Sequence, residues 1–248
     1  MKDFIAAEDR GVLQAHQLDS FEALWALELA AVDEPNTERG GYSSVSRLEL
    51  DGVAYYLKRQ TNYLTRSWLH PFGEPTFARE LRNIQRYQKL GIPALRAAFF
   101  AERKVQGERR ALLLTRALDG WQDLEHWLLD WNERDEKQRL AILRACGELA
   151  RKLHDAKQMH GCFYPKHIFL RQAGSGFDAQ LIDLEKNRRL VFGKRDRIKD
   201  LEPLLRRAGS WSETEVWSFL QSYVGSGGDP KDWRNRLGAR RKHKEARH

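Results

Sequence analysis

The sequence predicts an α+β chain of two lobes: a small antiparallel β-sheet lobe carrying one main helix, then a larger helical lobe. Three observations predict it. Two strand-like runs, YSSVSRLEL and GVAYYLKR, meet at Asp51-Gly52, a dipeptide that suits a tight hairpin because both central residues of such a turn need positive φ. A helical run from Thr76 to about Leu90 stands between this pair and a second pair of strand candidates. From Asp119 onward the pattern is mainly helical, interrupted by one loop and a strand pair. Sheet plus one helix first and helices afterwards is a segregated α+β order. The boundary is expected near Arg116 to Gly120, giving lobes of residues 1–116 and 117–248.

The elements follow in order. An early helix is expected from about Phe21 to Val32, with Asp19 as its cap and Glu22 three residues on. A loop with Pro35 and Asn36 leads to Gly40-Gly41 and the first strand run. After the second run a Pro- and Gly-rich stretch, HPFGEP, leads into the helix from Thr76, which Gly91 and Pro93 close. Ala97 to Glu102 and Arg110 to Thr115 form the second strand pair, turning around Gln106-Gly107. Further on, the helix-forming run ELARKLHDA precedes HGCFYPKHIFL (His160 to Leu170), and LIDLEK (Leu181 to Lys186) reads as a strand closed by Asp183. No internal repeat or low-complexity linker is visible.

Composition narrows the class. At 248 residues the chain can bury a substantial core; 41% hydrophobic residues and eight tryptophans argue for a folded protein, and 31% charged residues for a soluble one. No apolar run approaches the roughly 18 residues of a membrane span. The start, MKDFIAAEDR, carries acids where a signal peptide is apolar, so a cytoplasmic location is expected. Cys146 and Cys162 fit a reducing compartment, and neither has a C-x-x-C neighbour, which argues against structural zinc. The formal charge is +8, and between Lys231 and His248 eight Lys or Arg face only Asp232 and Glu245. Such a tail suits an anionic membrane surface, an acidic glycolipid or nucleic acid, or is a solvated, frayed end. Only Trp233 interleaves with these charges and no nucleic-acid motif accompanies them, so nucleic acid is not expected as a partner.

Several residues can carry chemistry. Lys58 ends the second strand run, a common place for a lysine at any sheet edge. Helical spacing sets Phe77, Leu81, Ile84 and Tyr87 on one stripe, with Glu80 falling between Ile84 and Tyr87. An inward carboxylate needs a partner, because an unpaired buried charge is expensive. Lys58 is the natural candidate; a local Arg79 or Arg82 is the alternative. The small residues of Gly40-Gly41-Tyr42-Ser43-Ser44 allow backbone N–H groups to approach phosphate oxygens, although paired glycines are also ordinary turn material. No Walker-type GxxxxGK[ST] occurs, which excludes the standard P-loop. Asp183 suits either a magnesium ligand or a turn cap. Glu185, two residues on along the same strand face, suits a further oxygen ligand or a pair with Lys186. His160 and His167 bracket the loop, His160 packing and orienting it.

Together, GGYSSV, YYLK, FARELRNIQRY, MHGCFYPKHIFL, LIDLEK and KDLEPLL, from about Gly40 to Leu205, resemble the bacterial lipopolysaccharide core kinases, the Kdo and heptose kinases. More closely, the chain is similar to the short lipopolysaccharide-kinase-like proteins of the InaA group. The order of these motifs is more specific than any one of them. The resemblance implies a protein-kinase-like fold, ATP and Mg²⁺ as cofactors, and a sugar or glycolipid acceptor. It implies that Lys58 contacts phosphates, that Glu80 pairs with it, and that Asp183 and His167 bind the metal. Gly40, Gly41, Ser43, Ser44 and Thr115 are the further nucleotide-binding candidates, and Asp200 would support the loop from a helix. Lys58, Glu80 and Asp183 are then expected around one phosphate-and-cation pocket, with the basic tail meeting the inner membrane surface peripherally.

Two positions depart from the family pattern. Tyr56 replaces the small residue that usually stands two before the lysine, which alters the adenine pocket. Cys162 occupies the place of the catalytic aspartate, two residues after His160. A thiol of ordinary pKa, about 8.5, is a poor substitute for a carboxylate that orients a hydroxyl. Two outcomes follow: transfer with Lys58, Asp183 and Cys162 as the catalytic residues, or a pseudokinase that serves as a nucleotide-binding or stress-response module. A kinase of small soluble acceptors, of the aminoglycoside or choline type, shares the loop order and is a more distant reading.

Overall fold

Five antiparallel strands carry the first part of the chain, and residues able to take positive φ turn them. A computed structural model describes residues 3–32, 34, 36, 37, 41–67 and 70–245. The chain divides into two units, Met1–Arg86 with Leu95–Asp119, and Tyr87–Ala94 with Gly120–His248.

The first unit contains β1 (Phe4–Ile5), α1 (Ala7–Ala15), α2 (Phe21–Ala26), β2 (Tyr42–Leu50), β3 (Val53–Thr61), β4 (Leu64–Ser67), β5 (His70–Pro75), most of α3 (Thr76–Leu90), β6 (Ala97–Val105) and β7 (Glu108–Arg116). The sheet order is β1-β6-β7-β3-β2. Asp51 and Gly52 turn β2 into β3 with φ of 48° and 76°, and Gln106 and Gly107 turn β6 into β7 with φ of 50° and 87°. Alternation along β3 sends Tyr55 and Leu57 into a cluster with Leu13, Phe21 and Leu24 of α1 and α2. Lys58 and Gln60 bond to α3 instead, so α3 lies over the opposite face.

Three local expectations are corrected. The early helix covers Phe21–Ala26 rather than reaching Val32, and Ser20, not Asp19, caps it, its hydroxyl accepting from Ala23 N at 3.2 Å. Leu27 turns extended, Arg59 Nη2 takes its carbonyl at 2.6 Å, and Val32 N bonds Val45 O on the edge strand. These long-range partners override the local helical pattern. HPFGEP is itself strand β5, paired with β4 in a two-stranded ribbon where Pro71 and Gly73 are tolerated.

The second unit contains the last turn of α3, then β8 (Gln122–Asp123), α4 (Leu124–Trp127), α5 (Glu136–Asp155), β9 (Gln158–Met159), β10 (Ile168–Ala173), β11 (Gly176–Leu181), β12 (Arg188–Arg189), α6 (Lys194–Arg207), α7 (Glu213–Val224) and α8 (Pro230–Glu245). Asp135 caps α5 by accepting from Gln138 N at 2.9 Å, and Ser212 with Glu215 forms a capping box on α7. Gly147 lets α5 and α7 approach closely: a Cβ there would stand 2.6 Å from Phe219 O. The tail helix α8 is docked through Trp233 and Leu237, both buried. The third correction concerns LIDLEK: β11 ends at Leu181, Asp183 takes a left-handed φ of 57°, and Glu185 lies in a 3-10 turn, Leu184–Lys186, rather than on a strand face. No described helix is long and apolar enough to cross a membrane.

Candidate functional site

In the first unit, Lys58 Nζ donates to Glu80 Oε1 at 2.7 Å, and both side chains are largely buried. The pair is set by a helix clamp two residues further along β3. Gln60 Oε1 accepts from Thr76 Oγ1 at 2.7 Å and from Phe77 N at 3.1 Å, so the first turn of α3 is fastened to the strand that carries Lys58. One turn later Glu80 falls above Lys58. Arg82 turns instead to Glu74, at 2.6 Å. Gly40 lies outside the described residues. Gly41 passes so close to β4's leader that an added Cβ would meet Tyr63 N at 2.6 Å. Ser43 exchanges both backbone hydrogen bonds with Asn36, at 2.9 and 2.8 Å, so its N–H is already engaged. Ser44 pairs with Arg59 in register, and Thr115, opposite Tyr56, is buried.

In the second unit the loop after α5 is held from below. Asp200 of α6 accepts from His160 N and Gly161 N, both at 2.7 Å, and from His154 Nε2 at 3.2 Å. Tyr223 Oη donates to His154 Nδ1 at 2.8 Å, which leaves Nε2 as the protonated nitrogen facing the carboxylate. Gly161, with φ of 79°, is required because a Cβ would stand 2.8 Å from Lys186 O. His160 accepts from Cys162 N through Nδ1 at 3.3 Å and donates from Nε2 to Ile182 O at 2.9 Å. It therefore ties the loop to the segment before Asp183.

His167 donates from Nδ1 to Cys162 O at 2.8 Å and turns Nε2 toward Asp183 Oδ2 at 3.2 Å. Burial pushes the His167 imidazole below its ordinary pKa, against the pull of Asp183. A neutral imidazole bonded this way presents a lone pair beside a carboxylate oxygen, a donor set that suits a divalent cation. No cluster of three metal-ligating side chains occurs among the described residues, so other ligands would have to come from nucleotide and water. Cys162 is buried, with its sulfur near the Tyr164 hydroxyl and the Lys186 ammonium. Lys186 is held above its ordinary range chiefly by its electrostatic interaction with Cys162. Arg207 stacks its guanidinium 3.9 Å from the Tyr164 ring centroid.

Lys58 and Glu80 are thus brought together in one unit, and Cys162, His167 and Asp183 in the other. Sequence reasoning missed Gln60, His154 and Tyr164, and gave Lys186 only as a pair for Glu185. Gln60 carried a usable signal, since an amide inside an apolar strand needs a partner. A cavity of about 750 Å³ beside α5, lined by Trp121, Leu149 and Phe177 among others, includes none of the predicted site residues.

Comparison with known proteins gives three findings. The model of the lipopolysaccharide kinase (Kdo/WaaP) family matches residues 22–223. The chain is 32% identical over 212 residues to Protein InaA of Escherichia coli strain K12, covering 81% of this chain and 96% of that one. A solved structure of WaaP in complex with acyl carrier protein superposes with a TM-score of 0.73 at 22% identity, over 100% of this chain and 99% of that chain. The fold is kinase-like.

Proposed function

Because the chain belongs to the lipopolysaccharide kinase (Kdo/WaaP) family, we propose that it transfers phosphate from ATP to a sugar hydroxyl of lipopolysaccharide core or a related envelope glycolipid. The observation that carries this reading is the Lys58–Glu80 pair, at 2.7 Å. A buried ion pair contributes little that well-packed apolar residues would not, so its value lies in holding an ammonium in one orientation. That ammonium takes the nucleotide phosphates, and the Gly41 backbone approaches them. Asp183, with Nε2 of His167, would hold Mg²⁺, which when bound would supply charge neutralisation at the phosphates. The chain's own residues position the two reactants. The basic tail brings the chain to the cytoplasmic surface of an anionic membrane, where such an acceptor is presented.

Cys162 favours a second reading. Without a carboxylate to orient the acceptor, the same nucleotide site would serve a pseudokinase that binds ATP and does not turn it over.

Titration of the full chain with ATP and Mg²⁺ tests the nucleotide site common to both. Lys58→Ala and Asp183→Ala should each weaken binding about tenfold or more, the worth of a charged hydrogen bond. Chelating the metal should weaken the parent and leave Asp183→Ala nearly unchanged. Absence of ATP binding in the parent would end both readings.

A further inference from the structure

Val191 and Phe192 are 69% and 63% exposed, adjacent in sequence, and set in the basic stretch RRLVFGKRDR between β12 and α6. We propose that this tip is a membrane-inserting wedge that seats the second unit on an anionic phospholipid bilayer.

The tip is built rather than loose. Asp196 is buried, and its Oδ2 accepts from Val191 N at 2.8 Å and Phe192 N at 3.1 Å. Both carboxylate oxygens also take the Arg188 guanidinium, at 3.0 and 2.9 Å. Leu190 N bonds Lys157 O at 2.9 Å, and Arg195 N bonds Phe192 O at 3.1 Å. One carboxylate therefore fastens the backbone of both apolar residues from within and leaves their side chains in solvent. Holding a valine and a phenylalanine outward forgoes the burial that apolar side chains normally gain, and a partner that covers them recovers it.

The surrounding charge says what the partner is. Arg189 and Arg195 are exposed and form no ion pair among the described residues. The Arg195 guanidinium lies 5.6 Å from the Phe192 ring centroid. Lys194 pairs with Asp232 and lies 5.3 Å from the Trp233 ring centroid, which fastens the start of the basic helix α8 beside the tip. Two apolar side chains are too few for a protein interface, which takes about 800 Å² from each partner. A bilayer needs no such area: hydrocarbon receives Val191 and Phe192, and lipid phosphates receive the guanidinium groups around them. Stable peripheral binding takes two signals, and an apolar wedge with a polybasic helix supplies both.

This deepens the proposed function by naming where the chain meets a membrane-held acceptor. It is read without nucleotide or turnover, so either can fail while the other stands. Flotation of the full chain with phosphatidylcholine vesicles, with and without phosphatidylglycerol, is the test. The parent should float with the anionic vesicles, less so in high salt. Val191→Ser with Phe192→Ser should cut partitioning about tenfold or more, and Arg189→Gln with Arg195→Gln several-fold. Leu129→Ser, at an 81% exposed apolar site elsewhere in the same unit, should change nothing. A parent that stays unbound, or that binds both vesicle types alike, overturns the inference. So does a double serine variant that floats like the parent, which would leave the binding to the tail alone.

Discussion

A thiol beside an ammonium is a different acid–base partner for an acceptor hydroxyl than a carboxylate. Cys162 sits in a loop whose backbone is tied by Asp200, His160 and His167, so its sulfur is fixed in place and meets Tyr164 and Lys186. Such positioning is most of what phosphoryl transfer asks of a protein, and a general base typically adds about 10²–10⁴ in rate. Cys162→Asp restores the carboxylate at that point, with Lys186 at hand to compensate its burial. We expect transfer from ATP to lipopolysaccharide core, measured as ADP formed, to rise by about 10²-fold or more, with ATP affinity little changed. A parent with slow but measurable turnover supports the kinase. A parent with none, beside an active aspartate variant, supports the pseudokinase. A variant no faster than a turning-over parent would show that this position does not orient the acceptor.

At the scale of elements, the clamp of Gln60 on α3 decides where Glu80 stands. Gln60→Leu keeps the side chain's bulk and leaves the Thr76 hydroxyl and the Phe77 N–H without their acceptor. Each buried group so orphaned costs about 1–3 kcal/mol, and the helix loses the anchor that holds Glu80 over Lys58. The urea midpoint should fall with an unchanged slope, and ATP affinity should fall with it. Stability and affinity equal to the parent's would mean that α3 is placed by its apolar stripe alone. That stripe is what made α3 and its glutamate legible in the sequence, since Phe77, Leu81, Ile84 and Tyr87 repeat at the helical period and are all buried. The hairpins were legible for an equally local reason, the turn chemistry of Asp51-Gly52 and Gln106-Gly107. What was not legible depends on partners far along the chain. Arg59 ends α2 by taking Leu27 O from 32 positions away, and Gln60 caps a helix that begins 16 positions later. The left-handed turn at Asp183 is likewise hidden, because Leu181, Ile182 and Leu184 look like a continuous buried strand.

At the scale of the whole molecule, the +8 charge is concentrated in a tail that is also part of the fold. The expectation of either a frayed end or a charged arm divides wrongly, since α8 buries Trp233 and Leu237 while Lys231, Arg234, Arg236 and Arg241 remain exposed. Trp233 meets Tyr223 edge-on, with centroids 4.9 Å apart. Tyr223 donates to His154, His154 to Asp200, and Asp200 holds the amides of His160 and Gly161. Packing of the tail is therefore linked to the loop by one chain of contacts inside the second unit. Trp233→Ala should cost about 3–5 kcal/mol, read as a lowered unfolding midpoint, and should raise hydrogen exchange at the His160 and Gly161 amides beyond any rise in the first unit. Asn235→Ala, exposed on the same helix, should stay within about 0.5 kcal/mol of the parent. If Trp233→Ala leaves stability and loop protection unchanged, α8 acts through its charge alone, and the ring contact with Tyr223 carries no support to the loop.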